Sequence, residues 1–134
     1  MKVYTDPIQP ANITESSYKI KEYTKTVNEV FHYRTPFEAL IAKRYPGAKF
    51  AVFDVNRLMT NIYNTPERYL TSPANVNGVY ELCDTNWGNC VKSDLSLDHF
   101  LWFDELHPSQ RVDEIIAHEF LGLVRGGSRY VTYW

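Results

Sequence analysis

The sequence predicts an α/β fold with a parallel sheet, and the order of its apolar patterns is the main reason. Apolar residues at helical spacing run over about 18–45 and again over about 109–124. Between them lie two short apolar runs typical of buried strands, at 49–55 and 99–103. Helix–strand–helix–loop–strand–helix is the order of part of a parallel α/β sheet. Two strands do not complete such a sheet, so we expect one or both to have an open edge.

The N-terminal third is predicted to contain an extended segment followed by helix. Residues 1–15 are polar, contain two prolines and show no periodicity. Pro36 interrupts the helical pattern that follows, because proline lacks the backbone donor and clashes with the preceding turn. Thr35-Pro36-Phe37-Glu38 also has the residue order of a helix start, with proline at the first helical position. The pattern therefore predicts either one kinked helix or two helices, over about 18–34 and 36–45.

The middle of the chain is predicted to contain one helix and a long loop. The helix covers about 56–63 and is followed at 65–69 by a turn or by a single helical turn. We interpret Asp54, between the first strand and this helix, as a helix cap and not as a catalytic residue. Residues 70–98 lack periodicity and are rich in Asn, Gly, Ser, Pro and Asp. A loop of that length in a small domain is usually functional or disordered.

The last predicted helix has one apolar face. Five residues share it: Val112, Ile115, Ile116, Phe120 and Leu123. Ser109 is the predicted N-cap, and Gly126-Gly127 is expected to end the helix. Residues 130–134 are expected to form a short apolar tail.

Composition narrows the range of functions. The 134 residues suffice for one domain with a modest core. A net charge of −2 gives no basic surface, which argues against a nucleic-acid partner and against anionic membranes. No apolar stretch reaches the roughly 20 residues of a membrane span. The polar N-terminus has no signal-peptide core.

Two features nevertheless indicate an extracellular parent protein. Cys83 and Cys90 bracket a short loop and are predicted to form a disulfide, which would stabilise by about 2–3 kcal/mol through loop closure. Two free thiols are the alternative. Asn12-Ile13-Thr14 is an N-glycosylation sequon. Together they favour a secreted parent whose signal peptide lies outside this chain.

The candidate catalytic residues are Asp104 and His107. They follow the second predicted strand, and α/β enzymes carry catalytic groups on the connections at strand ends. Three residues apart on a turn, the carboxylate can accept a hydrogen bond from the imidazole, fix its tautomer and stabilise the imidazolium. The alternative is a turn-capping aspartate beside an ordinary exposed histidine.

A nucleophile is missing from this pattern. No Ser, Cys or Thr has a recognisable nucleophile setting, and seven serines lack it: Ser16, Ser17, Ser72, Ser93, Ser96, Ser109 and Ser128. His32 and His99 have no acidic or cysteine partners at metal-ligand spacing, and His118 on the last helix is expected to be a surface or packing residue, so neither a metal nor a cofactor is predicted.

Phe103-Asp104-Glu105-Leu106-His107-Pro108-Ser109, followed by Ile116-Ala117, resembles the last motif block of the GDSL-type hydrolases. This is the Ser-Gly-Asn-His superfamily, and its block reads Asp-x-x-His-Pro-Thr/Ser. The resemblance spans about residues 18–124. Further segments follow the order seen in fungal secreted members of the family: 24–28, Tyr45-Pro46-Gly47-Ala48, Phe53-Asp54-Val55, Asn64-Thr65-Pro66-Glu67-Arg68-Tyr69 and the pair Cys83 and Cys90.

The resemblance implies a three-layer α/β/α sandwich, of which residues 16–134 would be the C-terminal part. His107 would be the general base and acid, and Asp104 would orient it. The blocks that carry the family's Ser, Gly and Asn are absent. The missing N-terminal half of the domain is thus an expected partner, and the parent's substrates would be acylated carbohydrates or lipid esters.

Two functional hypotheses follow. The chain is either the C-terminal part of a secreted serine esterase, inactive alone, or a non-catalytic derivative that binds sugar or protein. Two roles are open for Trp87, in the loop between the cysteines. It could stack on a sugar ring, or it could cover the disulfide.

Overall fold

The computed structural model of the chain describes residues 12–84 and 89–134. The chain divides into two units, one containing residues up to Val52 together with Val131–Trp134, the other Phe53–Tyr130. Most of the predicted extended N-terminal segment lies outside the described residues, and so does Trp87.

Helix α1, Ile13–Pro36, dominates the first unit. It begins earlier than the sequence pattern predicted, because the Asn12 side chain caps it by accepting a hydrogen bond from the Glu15 amide at 3.1 Å. Pro36 ends α1, and a π-helix, Phe37–Ala42, follows directly. Since Pro36 has no amide hydrogen, one helical hydrogen bond is lost at this point. The sequence predicted either one kinked helix or two helices at Pro36. The structure instead shows a change from α-helix to π-helix there.

An apolar stripe runs along α1 and into the π-helix. Six exposed apolar residues form it: Ile20, Tyr23, Val27, Val30, Phe37 and Ile41. They follow a regular helical spacing of three or four residues, in which Arg34 occupies the position between Val30 and Phe37. Apolar surface of this extent is typical of a face that packs against another layer of protein.

Glu38 is the buried acidic residue of the first unit. Its carboxylate accepts a hydrogen bond from Arg34 Nε at 2.8 Å and lies 3.4 Å from Arg44 Nε. Two arginines therefore compensate the buried charge, as burial of a carboxylate requires.

The first predicted strand is shorter than expected and pairs with the chain's end. Strand β1, Ala51–Phe53, forms a two-stranded sheet with β6, Val131–Tyr133. Phe50 and Trp134 extend it by exchanging backbone hydrogen bonds of 3.1 and 2.9 Å. The apolar tail predicted for 130–134 is therefore a strand.

The prediction of a loop over 70–98 is wrong, because this segment contains three strands. Strand β2, Asn75–Val79, pairs in parallel with β5, Phe100–Trp102. Strand β3, Glu81–Cys83, pairs antiparallel with β4, Cys90–Lys92. Two short 3₁₀ helices, Pro66–Arg68 and Leu97–His99, flank this region. The two strands predicted from sequence consequently lie in different sheets, each beside a strand that the sequence pattern did not indicate.

Helices α2, Val55–Asn64, and α3, Gln110–Val124, confirm the sequence prediction closely. Asp54 caps α2 by accepting a hydrogen bond from the Arg57 amide at 2.9 Å, so its predicted structural role is confirmed. After α3, Gly126 adopts a left-handed conformation with φ of 77°. The amide of the next glycine, Gly127, then bonds the Gly122 carbonyl at 2.8 Å, which ends the helix.

The second unit contains a core of six buried residues: Leu58, Ile62, Leu70, Leu101, Val112 and Tyr130. Of the predicted apolar face of α3, Val112 is fully buried, whereas Phe120 is half exposed. Ile115, Ile116 and Leu123 are partly buried, so Phe120 is the exposed member of the predicted face.

Tyr130 is a core residue that the sequence pattern did not identify. Its hydroxyl oxygen accepts hydrogen bonds from Asn61 Nδ2 at 3.0 Å and Arg129 Nη2 at 2.7 Å, and lies 3.1 Å from the Tyr69 hydroxyl. Burial raises the pKa of Tyr130, but the hydrogen bonds from Tyr69, Asn61 and Arg129 outweigh it and lower the pKa.

The molecule thus mixes helices with small two-stranded sheets, which is consistent with the predicted α/β class. Among the described residues, no helix combines the length and apolar character needed to cross a membrane.

Candidate active site

The turn between β5 and α3 is closed at both ends by backbone hydrogen bonds. The Phe103 amide donates to the His107 carbonyl at 2.9 Å, and the Ser109 amide donates to the Leu101 carbonyl at 3.0 Å. Pro108 forms a bridge with Trp102 between these two bonds. The turn is therefore held to the core strand on one side and to the start of α3 on the other.

Asp104 organises this turn from within. One carboxylate oxygen, Oδ1, accepts hydrogen bonds from the Leu106 amide at 2.8 Å and the His107 amide at 2.7 Å. The other, Oδ2, lies 2.8 Å from Nδ1 of His107. An ionised carboxylate only accepts hydrogen bonds, so Nδ1 carries the proton and Nε2 of the neutral imidazole is an acceptor. The two side chains lie within hydrogen-bond distance, as the sequence predicted.

The Asp104 carboxyl is held in its ionised form. Burial alone would raise its pKa, since desolvation disfavours the charge. The hydrogen bonds from the His107 side chain and from the His107 and Leu106 amides outweigh burial and hold the pKa of Asp104 below its ordinary value. A carboxylate in this state can orient and stabilise an imidazolium without taking its proton.

The far side of the imidazole is open. Within residues 12–84 and 89–134, Nε2 of His107 forms no hydrogen bond. The arrangement can therefore accept a proton at Nε2 from a hydroxyl group that approaches from outside the turn.

A second layer of contacts reaches the turn from Glu81, at the base of the β3–β4 hairpin, and from Tyr80, which follows β2. The Glu81 amide donates to the Phe103 carbonyl at 2.8 Å, and the Tyr80 amide donates to the Trp102 carbonyl at 3.1 Å. The Tyr80 ring also packs against the Phe103 ring, with centroids 6.0 Å apart.

The predicted disulfide between Cys83 and Cys90 is formed and closes this hairpin. Glu81 lies near both sulfur atoms, so the three residues resemble a metal-ligand set. Metal ligation by cysteine requires the thiolate, which the disulfide removes.

The other residues considered in the sequence do not join the site. The Oγ atom of Ser109 is buried and accepts a hydrogen bond from the Val112 amide at 3.3 Å, so this serine caps α3 as predicted. His99 contacts the Pro73 carbonyl through Nδ1, and His118 is exposed on α3. In the described part of the chain, no Ser, Thr or Cys side chain is hydrogen-bonded to His107.

A polar pocket of about 250 Å³ lies elsewhere in the second unit. Tyr69, Thr71, Asp98 and Arg111 are among the residues that line it, whereas Asp104 and His107 are not. Arg111 is fixed there by a hydrogen bond from Nε to the Tyr69 carbonyl at 3.0 Å. The pocket and the Asp104–His107 pair are therefore distinct features.

No family model matches the chain. Over 123 residues, which are 92% of its length, the chain is 48% identical to an acetylesterase from Hypocrea jecorina. The matched part is 35% of that protein, so the chain spans about a third of the relative's length. Identity of this level over nearly the whole chain supports an evolutionary relationship to an esterase.

Proposed function

We propose that this chain carries the histidine and aspartate of a GDSL-type serine ester hydrolase, with His107 as general base and acid and Asp104 as its orienting carboxylate. The observation that supports this most is the 2.8 Å contact between His107 Nδ1 and Asp104 Oδ2, while Nε2 has no hydrogen-bond partner among the described residues. The similarity to an acetylesterase supports the same reaction class.

In this mechanism Nε2 of His107 takes the proton from a serine hydroxyl that lies outside the present sequence. The serine oxygen attacks the ester carbonyl, and the imidazolium returns the proton to the departing alcohol as the acyl-enzyme forms. Water then loses a proton to Nε2 and attacks the acyl-enzyme, and the imidazolium returns this proton to the serine oxygen as the acid is released. Asp104 remains ionised throughout, consistent with its lowered pKa.

The proposed substrates are small acyl esters of carbohydrates or lipids. The relative is an acetylesterase, so acetyl is the acyl group we test first. We also propose that the parent protein is secreted. The Cys83–Cys90 disulfide is compatible with an oxidising compartment, and Asn12, exposed at the start of α1, is the proposed glycosylation site.

The rest of the esterase domain is the proposed partner of this chain. The apolar stripe of α1 and the exposed end of α3 at Phe120 are surfaces that a further protein layer would cover. In this proposal the chain receives from that layer the nucleophile and the oxyanion hole, each worth several kcal/mol of barrier lowering. Alone, it is therefore expected to be inactive.

A chimera tests the proposal directly. The matched third of the Hypocrea jecorina acetylesterase is replaced by this chain, and hydrolysis of 4-nitrophenyl acetate is measured beside the isolated chain. We expect the chimera to hydrolyse the ester and to be blocked by a fluorophosphonate, while the isolated chain does neither.

Two outcomes contradict the proposal. A chimera that melts cooperatively but has no esterase activity would favour a non-catalytic derivative that binds sugar or protein. Fluorophosphonate-sensitive turnover by the isolated chain would instead place a nucleophile within these 134 residues.

A further inference from the structure

Phe103 is the residue through which the hairpin and the histidine turn are connected. Its amide donates to the His107 carbonyl at 2.9 Å, and its carbonyl accepts from the Glu81 amide at 2.8 Å. The Phe103 ring packs on the Tyr80 ring, whose centroid also lies 5.9 Å from the centroid of the Phe100 ring. The backbone position of His107 therefore depends on the residues at the base of the β3–β4 hairpin.

The hairpin itself is closed at both ends. At its base, the Ser93 amide donates to the Tyr80 carbonyl at 2.8 Å. At its far end, Cys83 and Cys90 are a cross-strand pair joined by the disulfide. Between these two points the strands have only three residues each.

Besides the disulfide, the described contacts of this short hairpin are exposed, among them the hydrogen bond from Asn89 Nδ2 to Asp84 Oδ2 at 2.8 Å. Leu82 and Val91, its central cross-strand pair, are both exposed, and Val91 is 71% accessible. The Lys92–Glu81 ion pair at 3.7 Å is partly exposed and contributes little. A two-stranded hairpin is marginally stable in water at best, so a covalent cross-link that reduces the freedom of the open form has a large relative effect.

We propose that the Cys83–Cys90 disulfide and Tyr80 are positioning elements for His107, which keep its imidazole on Asp104 by fixing the backbone of Phe103. This inference rests on the proposed function for its catalytic meaning. Neither the disulfide nor Tyr80 touches the reacting atoms. Opening the hairpin releases the Phe103 carbonyl from Glu81, and the turn then loses the support that keeps the imidazole and carboxylate aligned.

The tautomer of His107 reports this alignment in the full 134-residue chain without any need for catalysis. Asp104 selects the form protonated at Nδ1, because the hydrogen bond to one ring nitrogen decides which nitrogen carries the proton. The ¹⁵N shifts of the two ring nitrogens distinguish this form from the one protonated at Nε2. Asp104→Ala supplies the reference signals for an imidazole without its partner.

Two variants test the hairpin by independent routes. Cys83→Ser combined with Cys90→Ser removes the cross-link, and Tyr80→Leu removes the ring packing but keeps the disulfide. We expect both to shift the His107 signals toward those of Asp104→Ala. Val91→Thr is the matched control on the same hairpin and is expected to leave the signals of the unmodified chain unchanged.

The backbone amide signal of buried Val112 separates positioning from general stability. The proposal requires that this signal persists in both variants while the His107 ring signals shift. Unchanged ring signals in both variants would overturn the proposal. Loss of the Val112 signal together with the shift would also overturn it, since the hairpin would then hold the whole unit and not His107 in particular.

Activity distinguishes this inference from the proposed function. In the chimera, Tyr80→Leu is expected to lower kcat by about 10- to 100-fold with little change in KM, as misplacement of a catalytic group does. A tautomer shift in a chimera without activity would contradict the proposed function alone. An active chimera whose kcat is insensitive to Tyr80→Leu would contradict the positioning role alone.

Discussion

The side chain of Asp104 is 8% exposed, whereas that of His107, to which it is hydrogen-bonded, is 61% exposed. The carboxylate is thus shielded from water while the imidazole projects from the turn. A buried orienting group and an accessible proton acceptor are the two properties that a general base requires. The turn supplies both within four consecutive residues.

Replacing Asp104 should make stability less dependent on pH. The pKa of this carboxyl is lowered in the folded chain, compared with about 3.9 in an unfolded one. A lowered folded pKa stabilises the fold above the unfolded value, and this stabilisation is lost as pH falls through the folded value. We therefore expect Asp104→Asn to lower the urea midpoint at pH 6, and the difference from the unmodified chain to shrink towards pH 3.

Asp94→Asn is the control for this measurement, because Asp94 is exposed in a loop. Its midpoint should stay close to that of the unmodified chain at both pH values. An Asp104→Asn variant whose deficit is the same at pH 6 and pH 3 would be inconsistent with a carboxylate held ionised by the turn.

Ser109→Ala should destabilise the second unit by about 1 kcal/mol, the usual cost of losing an N-cap. The Ser109 hydroxyl is buried and accepts the hydrogen bond from the Val112 amide at the start of α3. Ser96 stands at the same position before the 3₁₀ helix Leu97–His99 but forms no capping hydrogen bond through its side chain. Ser96→Ala should thus change the free energy of unfolding by less than about 0.5 kcal/mol. If Ser109→Ala and Ser96→Ala lower the free energy of unfolding equally in urea titrations, the capping role of Ser109 is contradicted.

The apolar stripe of α1 should drive self-association of the isolated chain. Val27→Lys combined with Val30→Lys places two charges on that stripe, and we expect the weight-average mass in sedimentation velocity to fall towards the monomer. Asn28→Lys adds a charge at an exposed polar position of the same helix and should have no such effect. If the unmodified chain sediments as a monomer, the apolar stripe does not drive self-association, and this prediction is contradicted.

The chain should contain no titratable thiol before reduction and two after it. Both cysteines are accounted for by the Cys83–Cys90 bond. A thiol assay in denaturant, with and without reductant, measures this directly. Two thiols in material that has never been reduced would contradict the disulfide.

Helices and caps were predictable from the sequence because their signals are local. Asp54 and Ser109 each precede an amphipathic stretch, and each caps the helix predicted there. The Asp104–His107 contact was predictable for the same reason, since a spacing of three residues on a turn brings the two side chains within reach of each other.

The strands were less predictable because their signals are not local. In β2 the Asn75 side chain accepts hydrogen bonds from the Asn77 and Gly78 amides, so polar residues occur where alternating apolar ones would indicate a strand. Strand β6 is three residues long and depends on β1, about 80 residues earlier in the sequence, for its hydrogen bonds. No local pattern specifies such a pairing.

The support that Tyr80 gives to the turn was also beyond sequence reasoning. Tyr80 follows β2 directly, and its contact with Phe103 exists only because β2 and β5 pair in parallel. Because the sequence pattern did not indicate β2, no residue was predicted to lie beside the C-terminal end of β5. Tyr130 was missed in the same way, because two of its polar partners, Asn61 and Tyr69, lie more than 60 residues earlier in the sequence.

The most direct test of the central claim compares His107→Asn with His118→Asn in the chimera. His118 is an exposed histidine on α3 and serves as the matched control. If His107 is the general base, His107→Asn lowers kcat/KM for 4-nitrophenyl acetate by at least about 10⁴-fold, as loss of a triad histidine does, with an unchanged melting temperature. His118→Asn leaves kcat/KM unaltered. Equal activity of the two variants would contradict the assignment of His107 as the catalytic base.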